Sequence, residues 1–128
     1  GFMRLLAGGF VDMWRDRLIN IHPSLLPSFK GLHTHERALE AGVRYTGCTV
    51  HYVRPAMDEG PIIVQSAVPV LSEDDADTLA GRVLVQEHAI YPLAVRLIAE
   101  GRVRVDGERA VIDGENVQAP GATINPLV

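Results

Sequence analysis

The sequence has little of what several common classes of protein require. Among 128 residues there is a single cysteine, Cys48, and aromatic residues make up only 5%. One cysteine excludes an internal disulfide and is typical of a reducing compartment. No apolar run is long enough to span a bilayer, and no secretory signal is recognisable. These features together favour a cytoplasmic protein.

The net charge of −4 argues against a broad nucleic-acid-binding surface. Apolar residues make up 47% of the chain, which is enough for the core of one domain. The first ten residues, GFMRLLAGGF, are apolar and resemble the interior of a domain. We therefore expect the chain to be a fragment, with sequence missing on its N-terminal side.

The pattern of apolar and turn-forming residues predicts alternating strands and helices. We expect Thr34 to cap the first helix, a capping box in Ser72–Asp75 to start the second, and Pro92 to kink or break it. Asp106 and Gly107 are expected to form a hairpin turn, and residues 114–128 a loose tail. The predicted fold is α/β, a mixed, mostly parallel sheet flanked by helices. Its strands are 17–21, 47–53, 62–70 and the hairpin 102–112, and its helices are 34–42 and about 72–100.

Asn20 and His22 are the first candidates for a site. They are two residues apart on a predicted strand, so their side chains point to one face, and Pro23 ends the strand beside them. Open α/β sheets bind ligands at such strand ends. An isolated Asn-x-His before proline is more often a loop-capping arrangement, so the spacing leaves both interpretations open.

Asp58 lies in a loop between two strands, where a carboxylate is usually a turn former. Brought beside His22, however, it would orient the imidazole and favour its charged form, which gives a general acid or base. An Asn20 amide next to this pair could donate to an oxyanion. The three side chains would then serve acyl transfer, or another reaction through a tetrahedral centre.

Other polar residues carry weaker signals. His33, His35 and His51 match no strong zinc pattern, and Cys48 has no neighbour that would make it a nucleophile. Glu87 falls on the apolar stripe of the second helix, where a carboxylate needs a partner. It either caps a neighbouring element or reaches the hydroxyl groups of a ligand.

Three segments together resemble the folate-dependent formyltransferases: NIHPSLLPSFKGLHTHERAL, TGCTVHYVRPAMDEGPIIVQ and RVLVQEHAIYPLAVRLI. Asn-x-His-Pro followed by Asp-x-Gly is shared across that family, whereas GLHTHERAL and QEHAIYP are typical of its glycinamide ribonucleotide transformylases. The resemblance runs from about Gly1 to Val105. It implies the formyltransferase fold, with residues 1–113 as the catalytic C-terminal part and the N-terminal nucleotide-binding half missing.

The resemblance implies formyl transfer from 10-formyltetrahydrofolate, as cosubstrate, to the amine of glycinamide ribonucleotide in purine synthesis, with no metal. Its partners would be small molecules, not nucleic acid or membrane. The implied catalytic residues are Asn20, His22 and Asp58. The implied substrate-binding residues are Leu84, Val85, Gln86 and Glu87, with Glu87 on the ribose hydroxyls. The implied folate-binding residues are Met3, Arg4, Leu5, Leu6, Asn20, Arg54, Pro55, Ala56, Met57 and Asp58.

Several alternatives stay open. A 10-formyltetrahydrofolate hydrolase would share the HYVRPAMDEGPII segment, although NIHPSLLP and HTHERAL favour the transferase. A methionyl-tRNA formyltransferase lacks support because there is no basic C-terminal domain. An inactive folate-binding fragment and a metal-dependent hydrolase are the alternatives from other classes.

Overall fold

The computed structural model describes residues 8–116 and 121–128. Within these residues, three helices and five strands follow one another. In order they are α1 (Gly8–Met13), β1 (Ile19–His22), α2 (Thr34–Ala41), β2 (Tyr45–Tyr52), β3 (Ile62–Pro69), α3 (Ala76–Ala99), β4 (Val103–Asp106) and β5 (Arg109–Ile112). The α/β class predicted from the sequence is therefore confirmed.

The described strands pair only in antiparallel fashion. One sheet has the order β1-β2-β3, and β4 and β5 form a separate hairpin. The prediction of a mostly parallel sheet is thus wrong for these strands. Alternating strands and helices do not fix strand direction, and α2 has only eight residues, about 12 Å of helix. Such a helix is too short to return the chain along the full sheet.

The core lies between α3 and one face of the three-stranded sheet. The apolar stripe of α3 is buried there as the helical period predicts: Leu79, Val83, Ile90, Ala94 and Leu97. From β2, Cys48, Val50 and Tyr52 pack against it. The helix continues through Pro92 without a break, since the buried turns on both sides of the proline hold it. The predicted break is therefore absent, and the alternative of a kink at Pro92 stays a prediction.

Both predicted helix starts are displaced. His33, with a φ of 56°, is the N-cap of α2, and Thr34 is the first helical residue and makes no cap. Asp75 caps α3 by accepting from the Thr78 amide, and the Thr78 hydroxyl accepts from the Asp75 amide. The capping box therefore begins at the last residue of the predicted Ser72–Asp75 segment, because residues 71–74 form a preceding turn.

The hairpin turn and the tail also differ from expectation. Asp106 pairs with Arg109, so the two-residue turn is Gly107-Glu108, with the positive φ of 64° on the glycine. Asn125 donates to the carbonyl oxygens of Arg44 and Val70, at 2.7 and 2.9 Å. The predicted tail is therefore attached to the domain at Asn125, and the expectation that it is loose is wrong there.

No helix within residues 8–116 and 121–128 has the length and apolar character needed to cross a bilayer.

The start of α3 contains a well-formed ion pair. Arg82 donates to both carboxylate oxygens of Asp74, at 2.7 and 2.9 Å, and the Leu71 amide donates to the same carboxylate. The bonds from Arg82, then those from Leu71 and Thr78, lower the pKa of Asp74 despite its burial. The pair fixes the turn before α3.

We expect Asp74→Asn to lower the free energy of unfolding by about 1–2 kcal/mol at neutral pH. Because the pKa of Asp74 is lower in the folded state, this stabilisation is fully present above the ordinary value of 3.8 and is lost as pH falls below it. Urea unfolding of both proteins across this pH range measures the difference. A difference that stays constant down to about pH 3 would contradict the assignment.

Candidate active site

His22 and Asp58 form a buried pair. The Nδ1 atom of His22 lies 3.4 Å from Oδ1 of Asp58, and each side chain is only 8% exposed. His22 is the last residue of β1, and Asp58 comes from the loop between β2 and β3. The structure thus brings together two residues that are 36 positions apart, as the sequence predicts.

The second nitrogen of His22 fixes the protonation pattern of the ring. Nε2 lies 2.9 Å from the carbonyl oxygen of Phe29, which can only accept, so Nε2 carries a proton. Nδ1 faces a carboxylate oxygen. The two ring nitrogens thus each face one oxygen acceptor, and these contacts fix the orientation of the ring.

Asp58 is held by a strained loop. Its φ is 54°, and its Oδ2 accepts from the Gly31 amide at 2.7 Å. Gly60, with a φ of 138°, packs so tightly that a Cβ there would overlap the Tyr52 carbonyl oxygen. The loop therefore reaches His22 only if residue 60 has no side chain.

Asn20 lies on the same face of the sheet as His22. It pairs with His51 across the ladder, and His22 pairs with Thr49, so these four side chains share one face. Asn20 is half-buried, and its amide makes no hydrogen bond to the described part of the chain. Within the described residues, an amide N–H of Asn20 is thus available as a donor on the same face as His22.

His51 is a further polar residue of this face, for which the sequence left the role open. It is 2% exposed, and its Nδ1 donates to the Tyr52 carbonyl oxygen at 2.7 Å, which leaves Nε2 as the acceptor. Burial lowers the pKa of His51, outweighing the bond to Tyr52 and the nearby charge of Asp58. The lowered pKa therefore favours the neutral form of His51 beside the His22–Asp58 pair.

Thr49 and Gln65 hold the loop after β1 against this face. The Thr49 hydroxyl donates to the Ser24 carbonyl oxygen and accepts from the Leu26 amide. The Gln65 amide donates to the Leu26 carbonyl oxygen and to Thr49. These residues lie 16 to 39 positions from their partners, so only the strand pairing reveals their role.

The predicted substrate segment lies on the other side of the sheet. Leu84 and Glu87 line an open groove of about 490 Å³ together with Ile21, His88, Tyr91 and Pro92. Ile21 points away from Asn20 and His22 because neighbouring strand residues alternate. Glu87 is thus not in contact with the catalytic candidates. Its charge, second to burial, raises the pKa of Cys48, which reaches about 11.

The other residues of this segment have different surroundings. Gln86 accepts from the Ser66 hydroxyl at 2.7 Å, and Val85 is exposed. Their predicted role in substrate binding stays a prediction.

The structure describes some of the residues that are predicted to bind folate. Pro55, Ala56 and Met57 form an exposed edge that leads to Asp58, whereas the Arg54 side chain is buried in ion pairs. The predicted residues Met3, Arg4, Leu5 and Leu6 lie outside the described residues. Among those described, no three His, Cys, Asp or Glu side chains come together as a cation site.

A buried His–Asp pair and an Asn side chain on the same strand face are groups that an acyl-transfer site would need. The chain belongs to the formyl transferase family, whose sequence profile matches residues 1–95. It is 47% identical over 121 residues to the phosphoribosylglycinamide formyltransferase of Escherichia coli, covering 94% of this chain and 57% of the relative. The chain thus spans little more than half of that relative.

Solved structures agree with this assignment. The crystal structure of phosphoribosylglycinamide formyltransferase from Anaplasma phagocytophilum superimposes with a TM-score of 0.84 at 51% identity, covering 88% of this chain and 56% of that one. A formyltetrahydrofolate deformylase from Pseudomonas syringae pv. tomato gives a TM-score of 0.80 at 32% identity, covering 84% and 36%. The formyltransferase fold predicted from the sequence is therefore confirmed.

We expect Gly60→Ala to lower the free energy of unfolding by about 1–3 kcal/mol, since its Cβ would displace the loop from Tyr52. The bond from the Gly31 amide to Asp58 should be lost as well, which the Gly31 amide resonance would report. Gly81→Ala is the matched control, because Gly81 lies in α3 with open space around its Cα. It should be neutral or stabilising by up to about 1 kcal/mol. Equal stability of the two variants would contradict the packing argument.

Proposed function

We propose that the chain is the catalytic portion of a phosphoribosylglycinamide formyltransferase. It would transfer a formyl group from 10-formyltetrahydrofolate to the amine of glycinamide ribonucleotide in purine synthesis. The observation that carries the proposal is the buried His22–Asp58 pair with the free Asn20 amide on the same face. The proposed location is the cytoplasm, and the proposed partners are these two small molecules.

The mechanism follows from the orientation of these side chains. When the substrate amine attacks the formyl carbon, negative charge develops on the formyl oxygen. The Asn20 amide donates to that oxygen, and the imidazolium of His22 stabilises the charge. Nε2 of His22 is bonded to the Phe29 carbonyl, so it must exchange or share that bond to become a second donor. When the tetrahedral intermediate collapses, the bond from the formyl carbon to the folate nitrogen breaks. Asp58 orients His22 and, through water, helps to move the proton of the attacking amine to that nitrogen.

The loop from Arg54 to Asp58 fits a folate ring. Pro55 and Ala56 are exposed, and Met57 is 48% exposed, so the loop offers a flat apolar edge next to the carboxylate of Asp58. A heteroaromatic ring with polar edges suits such a combination of apolar surface and backbone groups. The cosubstrate supplies the formyl group, and the loop would bind and orient it beside His22.

The complete protein would add the nucleotide-binding half. The outer edge of β1 has no strand partner among the described residues, and the apolar groove beside Ile21 and Leu84 is open. An unpaired edge next to exposed apolar side chains is a surface that proteins normally cover. We infer that strands of the missing half pair with β1 in parallel, which gives the mostly parallel sheet. That half would also hold the substrate phosphate.

A formyltetrahydrofolate deformylase is the second candidate, since its fold and the His–Asp pair would serve hydrolysis as well. The higher identity to transferases, 47% and 51% against 32%, favours the amine as acceptor. An assay with glycinamide ribonucleotide and with water alone as acceptor separates the two. Formate release that is unaffected by the ribonucleotide would favour the deformylase.

We expect the isolated chain to lack formyl transfer, because the groove beside Ile21 and the edge of β1 are incomplete. Fusing it behind the nucleotide-binding half of the Escherichia coli relative should restore turnover; we call this fusion the complemented enzyme. The measurement is formylation of glycinamide ribonucleotide by both proteins. Robust turnover by the isolated 128 residues would contradict the need for the second half.

In the complemented enzyme, His22→Ala and Asp58→Asn should each lower kcat by at least about a hundredfold, because each removes one partner of the His22–Asp58 pair. His33→Asn is the matched control, since His33 is exposed and asparagine tolerates its φ of 56°. It should leave kcat unchanged. A folded His22→Ala protein with the wild-type rate would exclude the catalytic role, and with it an active site at the end of β1.

A further inference from the structure

Arg54 is the first residue of the loop that carries Asp58, and its buried side chain contacts Asp16, Glu108 and Val53. Nη2 lies 2.8 Å from Oδ1 of Asp16, and Nε lies 3.2 and 3.5 Å from the two carboxylate oxygens of Glu108. Nη1 donates to the carbonyl oxygen of Val53 at 3.2 Å. Each of the three guanidinium nitrogens therefore lies near a protein oxygen, and the side chain is only 7% exposed. This burial keeps the guanidinium away from the exposed edge formed by residues 55–57.

The partners of Arg54 come from two distant parts of the chain. Asp16 lies in the turn between α1 and β1, and Glu108 lies in the turn of the β4–β5 hairpin. Arg15 adds a second contact to Glu108, at 2.9 Å. The guanidinium thus ties the start of the 54–60 loop to both turns.

The stem of Arg54 also reaches the end of the same loop. A Cβ added to Gly60, where the loop returns to β3, would lie 3.3 Å from Cγ of Arg54. The Arg54 side chain therefore lies close to both ends of the loop that carries Asp58. Gly31 and His22 hold only the middle of that loop, through the Asp58 carboxylate.

The burial of Arg54 makes Asp16 its main partner. Glu108 is 62% exposed, and an exposed ion pair contributes little, whereas Asp16 is 37% exposed and closer to the guanidinium. A buried guanidinium that loses its carboxylate is left unpaired at high cost. The loop base should therefore respond to changes at Asp16 and Arg54 more than at Glu108.

We propose that Arg54 is a positioning residue, which clamps the base of the 54–60 loop so that residues 55–58 are preorganised for the folate. This rests on the proposed function, since that function assigns the loop to folate binding. It differs from the direct folate contact expected for the Arg54 side chain. The β4–β5 hairpin then supports the site through Glu108 without touching a substrate.

The test compares Arg54→Met with Arg102→Met in the complemented enzyme. Arg102 also ties the hairpin to its surroundings, through Glu100 and the carbonyl oxygens of Asp113 and Gly114, but it does not contact the loop. For Arg54→Met we expect the KM for 10-formyltetrahydrofolate to rise about tenfold, with the KM for glycinamide ribonucleotide within about twofold. Arg102→Met should change neither KM. With Arg54→Lys, the KM for 10-formyltetrahydrofolate should rise less than with Arg54→Met.

Hydrogen exchange gives a readout that does not depend on turnover. In Arg54→Met, amide exchange should become faster within residues 55–60, and α3 should stay protected. Asp16→Asn should produce a smaller effect in the same residues, and it serves as the second variant if Arg54→Met does not fold. If the wild-type complemented enzyme shows normal amide hydrogen exchange but transfers no formyl group, the proposed function fails. The exchange rates of residues 55–60 in Arg54→Met then still test the positioning role of Arg54.

Unchanged folate KM and unchanged exchange in a folded Arg54→Met protein would overturn the proposal. Equal increases in the KM for 10-formyltetrahydrofolate and the KM for glycinamide ribonucleotide would also overturn it, since they would indicate general damage to the fold.

Discussion

The site depends on one carboxylate that joins two loops. Asp58 accepts from the Gly31 amide with one oxygen and faces His22 with the other. The first contact fixes the loop after β1, and the second fixes the ring that ends β1. Because His22 also donates to Phe29 in that loop, the three contacts close a ring of interactions. Loss of the carboxylate would therefore disturb the position of the loop as well as the orientation of the imidazole.

The remaining structure keeps this carboxylate in place. The close approach of Gly60 to Tyr52 sets the path of the loop, and Arg54 anchors its base. On the sheet, Thr49 and Gln65 hold the loop after β1 through three hydrogen bonds, and a fourth joins Gln65 to Thr49. The core between α3 and the sheet carries these strands but contributes no side chain to the His22 side of the site. Packing and chemistry thus use opposite faces of the same three strands.

Local patterns predicted the parts of the site that depend on short spacing. The two-residue period of a strand placed Asn20 and His22 on one face, and the helical period gave the buried stripe of α3. Features that depend on strand pairing or on contacts between distant residues could not be predicted from local patterns. Strand direction was wrong because element order does not determine it, and the cap of α3 moved because Asp74 and Leu71 form a turn first. The Arg54 cluster joins Asp16 and Glu108 over 38 and 54 positions, for which the sequence has no signal.

The two sides of the sheet also set a limit on ligand shape. His22 and Asn20 lie on one side of β1, and Ile21 and Glu87 border the groove on the other. A molecule that touches both must pass around the end of the strand at Pro23 or across its outer edge. A compact ligand can occupy only one side. If both sides bind one substrate, as in the proposed function, that substrate has to be elongated, with its reactive end and far end separated by the width of a backbone.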